Sequence, residues 1–336
     1  MNRDKILLDH GSGGKATHHL VSDLFLPAFE NPILAELNDS AILDAEEKRL
    51  ALSTDTYVVD PLFFPGGNIG ELAINGTVND LAMCGATPLY LSVGMIIEEG
   101  FSMAELQRIL EAMKGAADKA HVLVVTGDTK VVPRGTADKV FINTSGIGFI
   151  PKGIDISGHN AHPGDKVILS GTIADHGITV LTQREGMTFQ SQIQSDTAPL
   201  NHMVREMMAK SRQIHALRDP TRGGVGTSLN EIAVQSGVGI KIYEDAIPIR
   251  EQVSGVCELL GFDPLYIANE GKLLAFVGAG AADKILETMR ANEYGVDAVI
   301  IGEVVSDSPG KVFMRTQIGG TRIVDMLTGE QLPRIC

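Results

Sequence analysis

Short apolar runs that each carry an aspartate, separated by segments of helical period, constrain this chain more than any other feature of it. Asn38–Leu43, Leu50–Asp55 and Leu123–Lys130 read as strands. Between them the pattern predicts a helix over about 69–83, carrying Asn79-Asp80, and another over 102–120. The second opens on Ser102-x-x-Glu105, a capping box, and sets Leu106, Ile109, Leu110, Met113, Ala117 and Ala120 on one face. A further strand is expected at about 139–150, then a Pro-Lys-Gly linker. The alternation resumes with strands at 166–171, 240–243, 272–277, 298–304, 312–316 and 321–326, and helices at 200–211, 249–260 and 281–292. Alternating elements of this kind predict layered α/β halves. At 336 residues one small core does not suffice, so two domains are expected, 1–150 and 154–327. Tryptophan is absent and aromatics make up 5%, so both cores must be aliphatic.

The aspartates carry the functional signal. Asp55 and Asp128 are expected at strand ends, where an α/β layer presents its ligand crevice. Taken singly, each aspartate fits ordinary turn chemistry. Taken together, Asp39, Asp55, Asp80 and Asp128 sit in apolar stretches that solvated carboxylates do not need. Converging, they would form an oxygen-only site suited to Mg²⁺. In the second half, Arg218-Asp219-Pro220-Thr221-Arg222-Gly223-Gly224 precedes a helix. A carboxylate, a guanidinium and free N–H groups at a helix start suit phosphate and its metal. His10-Gly11-Ser12-Gly13-Gly14-Lys15 is glycine-rich, but Asp9 and Ala16 stand where a Walker A loop needs Gly and Ser or Thr. The net charge of −14 argues against nucleic acid without excluding a nucleotide. No apolar run reaches membrane-span or signal-peptide length, so a cytoplasmic chain is expected.

Three widely spaced cysteines draw no disulfide framework. Cys84 and Cys257 read as core residues, whereas Cys336 ends a segment, 328–336, that reads as a mobile arm. Extended, those nine residues reach on the order of 30 Å. The neighbouring carboxylate should raise the thiol's pKa, which suits a carrier of a group processed elsewhere.

Ser53-Thr54-Asp55, Asn79-Asp80-Leu81-Ala82, Gly127-Asp128-Thr129, Asp219-Pro220-Thr221-Arg222-Gly223-Gly224 and Pro333-Arg334-Ile335-Cys336 together resemble the HypE family. These are hydrogenase expression/formation proteins, in the superfamily of aminoimidazole ribonucleotide synthetase and selenophosphate synthetase. The likeness runs nearly end to end, and its most specific parts are the Asp-Pro-Thr-Arg-Gly-Gly string and the last cysteine. It implies a two-domain PurM-like α/β (α+β) fold: an N-terminal domain whose strands form a barrel in a homodimer, a C-terminal α/β domain and a flexible tail. It further implies Mg²⁺ and ATP in the interdomain cleft, carbamoylation of Cys336 by the transferase HypF, and ATP-dependent dehydration to a thiocyanate. The cyano group would pass to iron on a HypC–HypD complex, towards [NiFe]-hydrogenase. Asp39, Asp55, Asp80 and Asp219 would hold Mg²⁺–ATP, with Asp128 adding to them. Lys130, then Arg222, would stabilise the phosphoryl group; Glu270, or else His10, would act as base; His176, in the glycine-bearing turn Asp175-His176-Gly177, would cap that turn in preference to touching nucleotide. Two features depart from the superfamily: Asn38-Asp39 stands where two acids are common, and the glycine loop lacks the cysteine of selenophosphate synthetases. Two other functions fit the residues: a non-catalytic carrier, and an ATP-dependent synthetase of a free small molecule.

Overall fold

The computed structural model describes residues 14–25, 27, 33–45, 48–187, 193–329 and 332–336. Helix α1 (Lys15–Leu20) enters from Gly14. The first half is built on strands β1 (Ala41–Ala45) and β2 (Lys48–Tyr57), the two-residue β3 (Phe63–Phe64) and β4 (Gly67–Asn68), and helix α2 (Ile69–Met83). It continues through β5 (Thr87–Glu98), α3 (Met103–Ala120), β6 (Leu123–Val132) and β7 (Val140–Ile150). Its five-stranded sheet runs β1-β2-β7-β5-β6, antiparallel except for the β5–β6 pair.

Asn68 caps α2, its side-chain oxygen accepting from the N–H of Gly70 at 2.8 Å and of Glu71 at 3.4 Å. Nearly every residue of α2 is buried, including Thr77 and Asn79, as expected of a helix enclosed on all sides. In α3 the expected cap is present, Ser102 accepting from the Glu105 N–H, and the helix buries one stripe: Ile109, Met113, Ala116, Ala117 and Ala120. Strand β5 was not anticipated. Pro88 and Gly94 interrupt its pattern, and proline is tolerated there because it sits near the start, beside a register shift between Pro88 and Tyr90.

The second half holds β8 (Lys166–Leu169), α4 (Asp175–Arg184), α5 (Asn201–Lys210), β9 (Ile214–Arg218), α6 (Gly224–Gln235) and β10 (Gly239–Tyr243). Helix α7 (Glu251–Leu260), β11 (Leu274–Val277), α8 (Ala282–Ala291), β12 (Val299–Val305), β13 (Val312–Arg315) and β14 (Thr321–Val324) complete it. The seven-stranded sheet runs β14-β13-β10-β12-β8-β11-β9, with β10–β13 its parallel pair. Helix α4 forms where the sequence suggested only a glycine-bearing turn, and β9 leads directly into Asp219.

The halves share a core. Ala51, Leu81 and Met83 from the first pack with Met203, Val204 and Met207 of α5 and with Ile168 and Ala275 of the second sheet. Burial of each Leu, Ile or Met side chain contributes about 1.5–3 kcal/mol, which holds the halves together. The cleft between them is bordered by β2, the C-terminal turns of α2, the 219–224 loop and the 268–272 segment. One expectation needs correction: Asp55 and Asp128 lie inside β2 and β6 rather than at strand ends. Residues 332–336 of the arm lie in the cleft, where Val58 N–H donates to the Cys336 oxygen at 2.9 Å and Asp60 N–H to that of Arg334 at 3.2 Å.

Candidate active site

Four carboxylates meet at one wall of the cleft, brought by different elements: Asp39 just before β1, Asp55 on β2, Asp80 late in α2 and Asp219 straight after β9. Ser53 donates to Asp80 Oδ2 at 2.6 Å and to the Asp39 main-chain oxygen at 3.2 Å. Arg218 donates to Asp39 Oδ1 and lies 3.2 Å from the Glu231 carboxylate, which also meets His18 Nε2 at 2.9 Å. Electrostatics register the crowding. Burial, then Asp219, Asp55 and Asp39, hold the Asp80 carboxyl well above its ordinary range. Asp219 is pushed up to about 8 by burial and Asp39, against the pull of Arg218. Asp39 rises through burial, again against Arg218. Buried acids that repel one another and offer only oxygen suit a hard cation. Among the described residues, no three of these carboxylates already place ligand atoms within 4.8 Å of one another.

Facing them is Glu270, 4% exposed, whose Oε1 has no hydrogen-bond partner among the described residues. Its main chain is fixed on both sides: the N–H donates to Asp196 Oδ1 at 3.1 Å, and the C=O accepts from Asn79 Nδ2 at 3.3 Å. The same Asn79 donates to the Ala198 oxygen at 3.0 Å and accepts from Leu200 N–H at 2.8 Å, so one buried amide joins α2 to the second half. Asn269 does similar work, donating to the Pro220 oxygen at 2.9 Å and accepting from Ala174 N–H at 2.8 Å. Gly271 must lack a side chain, since a Cβ there would fall 1.8 Å from the Asp196 carbonyl oxygen. Burial, then Asp55, Asp196 and Asp219, raise the Glu270 carboxyl well above its usual value, partly offset by Arg222.

Arg222 comes from the loop that turns into α6. That turn is sharp, with φ of 82° at Gly223 and 63° at Gly224, and a Cβ on Gly224 would lie 2.5 Å from the Leu265 oxygen. The half-buried Cys336 thiol sits in the electrostatic reach of Arg222, Glu270 and Asp55. Burial, more than any neighbouring carboxylate, raises its pKa, while Arg222 draws it back. His176 closes the other side, its Nε2 2.7 Å from the Ile335 oxygen and its Nδ1 2.8 Å from Ser195 Oγ.

Of the residues singled out from sequence, Asp39, Asp55, Asp80, Asp219, Arg222, Glu270 and Cys336 come together here. Asp128 and Lys130 do not join them within one copy: they pair with each other at 2.6 Å on the exposed strand β6. His10 lies outside the described residues. Sequence reasoning missed Arg218, Asn269 and Arg184 as organisers of the cleft, and gave Asn79 no role although it stands beside Asp80.

Two α/β halves closing on an acidic cleft mark a chain of the AIR synthase related class. The model of its N-terminal domain matches residues 37–150 and that of its C-terminal domain residues 162–315. Within that class the chain belongs to the carbamoyl dehydratase HypE family. Carbamoyl dehydratase HypE of Azotobacter vinelandii is 54% identical over 97% of this chain and 96% of its own length. The crystal structure of a HypE–HypF complex includes a chain 48% identical, with a TM-score of 0.88 over 92% of this chain and 99% of that one. The hydrogenase maturation protein HypE in complex with ATP superposes with a TM-score of 0.84 at 51% identity, over 99% of this chain and 100% of that one.

Proposed function

We propose that the chain dehydrates a carbamoyl group borne on its own Cys336, at the expense of ATP, to leave a thiocyanate for hydrogenase maturation. The observation that carries this reading is the position of Cys336 itself: the thiol lies inside the acidic cleft beside Arg222 and Glu270, where a free-substrate synthetase would place its substrate. A passive carrier needs neither the buried carboxylates nor the unpartnered Glu270 oxygen.

The chemistry follows from what must leave. An S-carbamoyl group, S–C(=O)–NH₂, does not lose water directly because oxide is a poor leaving group. Its carbonyl oxygen attacks the γ-phosphorus of ATP, the bond to ADP breaks, and an O-phosphorylated imidate forms. Removal of the two nitrogen protons, the second as the C–O bond breaks, expels phosphate and leaves S–C≡N. Glu270 would take those protons, its carboxyl raised above the usual glutamate range by burial and then by Asp55, Asp196 and Asp219. Arg222, in the electrostatic reach of Asp55 and Glu270, would offset charge on the transferring group. Asp39, Asp55, Asp80 and Asp219 would hold Mg²⁺, which supplies charge neutralisation for the triphosphate when bound; phosphate oxygens would complete a set that the carboxylates alone leave open. Asn269 and Glu270 are buried, as is most of α2, and such a wall would keep water from the intermediate.

We assign residues 1–150 to nucleotide binding and pairing, 154–327 to the second wall of the cleft and 328–336 to carrying the cysteine. HypF, or a transferase like it, supplies the carbamoyl group, and a HypC–HypD complex receives the cyano group. Among the described residues, strand β6 is an uncovered sheet edge with Leu123, Val124, Val125 and Val131 exposed, a surface that calls for cover. A homodimer closing two such sheets into a barrel covers it, and Asp128 and Lys130 act in that assembly. No helix among the described residues is long and apolar enough to cross a membrane. All three cysteines are free, and a thiol that must stay reduced suits the cytoplasm.

Ligand linkage gives the test. Mg²⁺–ATP at about a hundred times its dissociation constant should stabilise the full chain by about 2.7 kcal/mol, read as a rise in Tm. ATP with a chelator should give a clearly smaller rise. An unchanged Tm with Mg²⁺–ATP would remove the nucleotide from the reading.

A further inference from the structure

The contacts of the last five residues are too many, and too varied, for a tail that merely falls into a cleft. Arg184 of α4 spends its whole guanidinium on main-chain oxygens. Its Nη1 donates to Pro333 at 2.8 Å, and its Nη2 to Arg334 at 2.8 Å. Nε and Nη2 also donate to the Asp60 oxygen, at 2.7 and 2.5 Å. It thereby clamps the tail against the segment after β2. His176 meets the Ile335 oxygen, and the N–H groups of Val58 and Asp60 pair with Cys336 and Arg334 in the manner of an added strand. Those are main-chain contacts and read no sequence. Two side chains are read. Ile335 is buried, 3% exposed, in the apolar cluster with Val59, Ile69 and Val180. Arg334, held at φ 51°, donates Nε to the Val58 oxygen at 2.9 Å and Nη1 to the Asp138 carboxylate.

We propose that Arg184, His176 and Asp138 form a recognition site for the Arg-Ile-Cys segment of this chain, the first two gripping its backbone and Asp138 selecting arginine. The site deepens the dehydratase reading, on which it rests: it sets the register that presents Cys336, rather than a neighbour, to Arg222 and Glu270. The three residues touch neither the thiol nor the reacting atoms and are positioning residues. Because main-chain grip and side-chain reading come from different groups, they are separable by experiment.

Cys84 and Cys257 are buried, so alkylation of the native full-length chain by iodoacetamide, followed by mass spectrometry, reports on Cys336. No ATP and no transferase enter the measurement, so a failure here leaves the dehydration reading standing, and a failure of that reading leaves this one measurable. Arg184→Ala should speed alkylation of Cys336 about tenfold or more, since several hydrogen bonds to a charged donor are lost together. On wild-type protein, a synthetic Leu-Pro-Arg-Ile-Ser peptide at several millimolar should also speed it by displacing the tethered segment, whereas Leu-Pro-Asp-Ile-Ser should not. In Asp138→Asn protein that discrimination should fall to within about twofold, an effect no general loosening of the fold produces. Alkylation of Arg184→Ala at the wild-type rate, or equal action of the two peptides on wild-type protein, would overturn the proposal.

Discussion

Substituting glutamine for Glu270 should slow conversion of carbamoylated Cys336 to the thiocyanate by roughly 10²–10⁴-fold, the usual contribution of a positioned general base. Loading of the carbamoyl group by the transferase should be unchanged, because that step occurs on another protein's site. Glutamine keeps the size of the side chain, and the Asp196 and Asn79 contacts to residue 270 are made through its main chain, so they survive. The pH dependence has a definite sign. Glu270 is raised well above the ordinary glutamate value, and only its ionised form accepts a proton. The wild-type rate should therefore climb with pH through that raised value, while the residual rate of the variant should lose this limb. Single-turnover assays on pre-carbamoylated protein across pH 5–9 would measure both, and a Glu270→Gln rate equal to the wild type would dismiss Glu270 as the base.

Asp219→Asn should move stability and function in opposite directions. For a carboxyl whose folded-state pKa lies above its unfolded value, the native state resists losing a proton that the unfolded chain gives up readily. Stability is then undiminished below the unfolded value and falls as pH rises towards the folded one. With Asp219 pushed from 3.8 to about 8, the window runs from about pH 4 to pH 8. The penalty at the alkaline end is on the order of a few kcal/mol, shared with the coupled acids around it. In chelator, then, Asp219→Asn should match the wild type near pH 4 and exceed it in Tm by several degrees at pH 8. The stabilisation by Mg²⁺–ATP should largely disappear in the variant, since one of the four acids proposed to hold the ion is gone. Parallel melting curves in chelator and in Mg²⁺–ATP would check both halves. A variant less stable at pH 8 that still responds to Mg²⁺–ATP would place Asp219 outside the metal site and make it an ordinary structural acid.

Much of this cleft was legible in the sequence because its residues are anomalous where they stand. An aspartate on an apolar strand, or beside Asn79 in a helix buried on every face, has no local reason to be there. Asp-Pro-Thr-Arg-Gly-Gly announces a backbone that cannot be regular, and the structure uses its two glycines at positive φ. What stayed hidden was of a different kind. Strand β5 was masked by Pro88 and Gly94, whose tolerance depends on where its neighbours start. Asp175-His176-Gly177 has the composition of a turn, and burial rather than period makes that segment the start of helix α4. Arg184 and Asn269 act on main-chain oxygens of residues far away in sequence, and no local pattern encodes such a partner. Asp128 shares with Asp39, Asp55 and Asp80 an apolar run that suggests one common site, and Lys130 follows it by two residues, whereas a single copy holds both on the exposed strand β6.

Intact-mass analysis of the full chain after incubation with the carbamoyltransferase, carbamoyl phosphate and ATP bears most directly on the claim that this molecule is its own substrate. The expected result is a carbamoyl adduct on Cys336 that becomes lighter by one water when ATP is present, and no adduct at all in Cys336→Ser. A carbamoyl adduct that keeps its full mass in ATP, or a dehydrated adduct that survives Cys336→Ser, would contradict it.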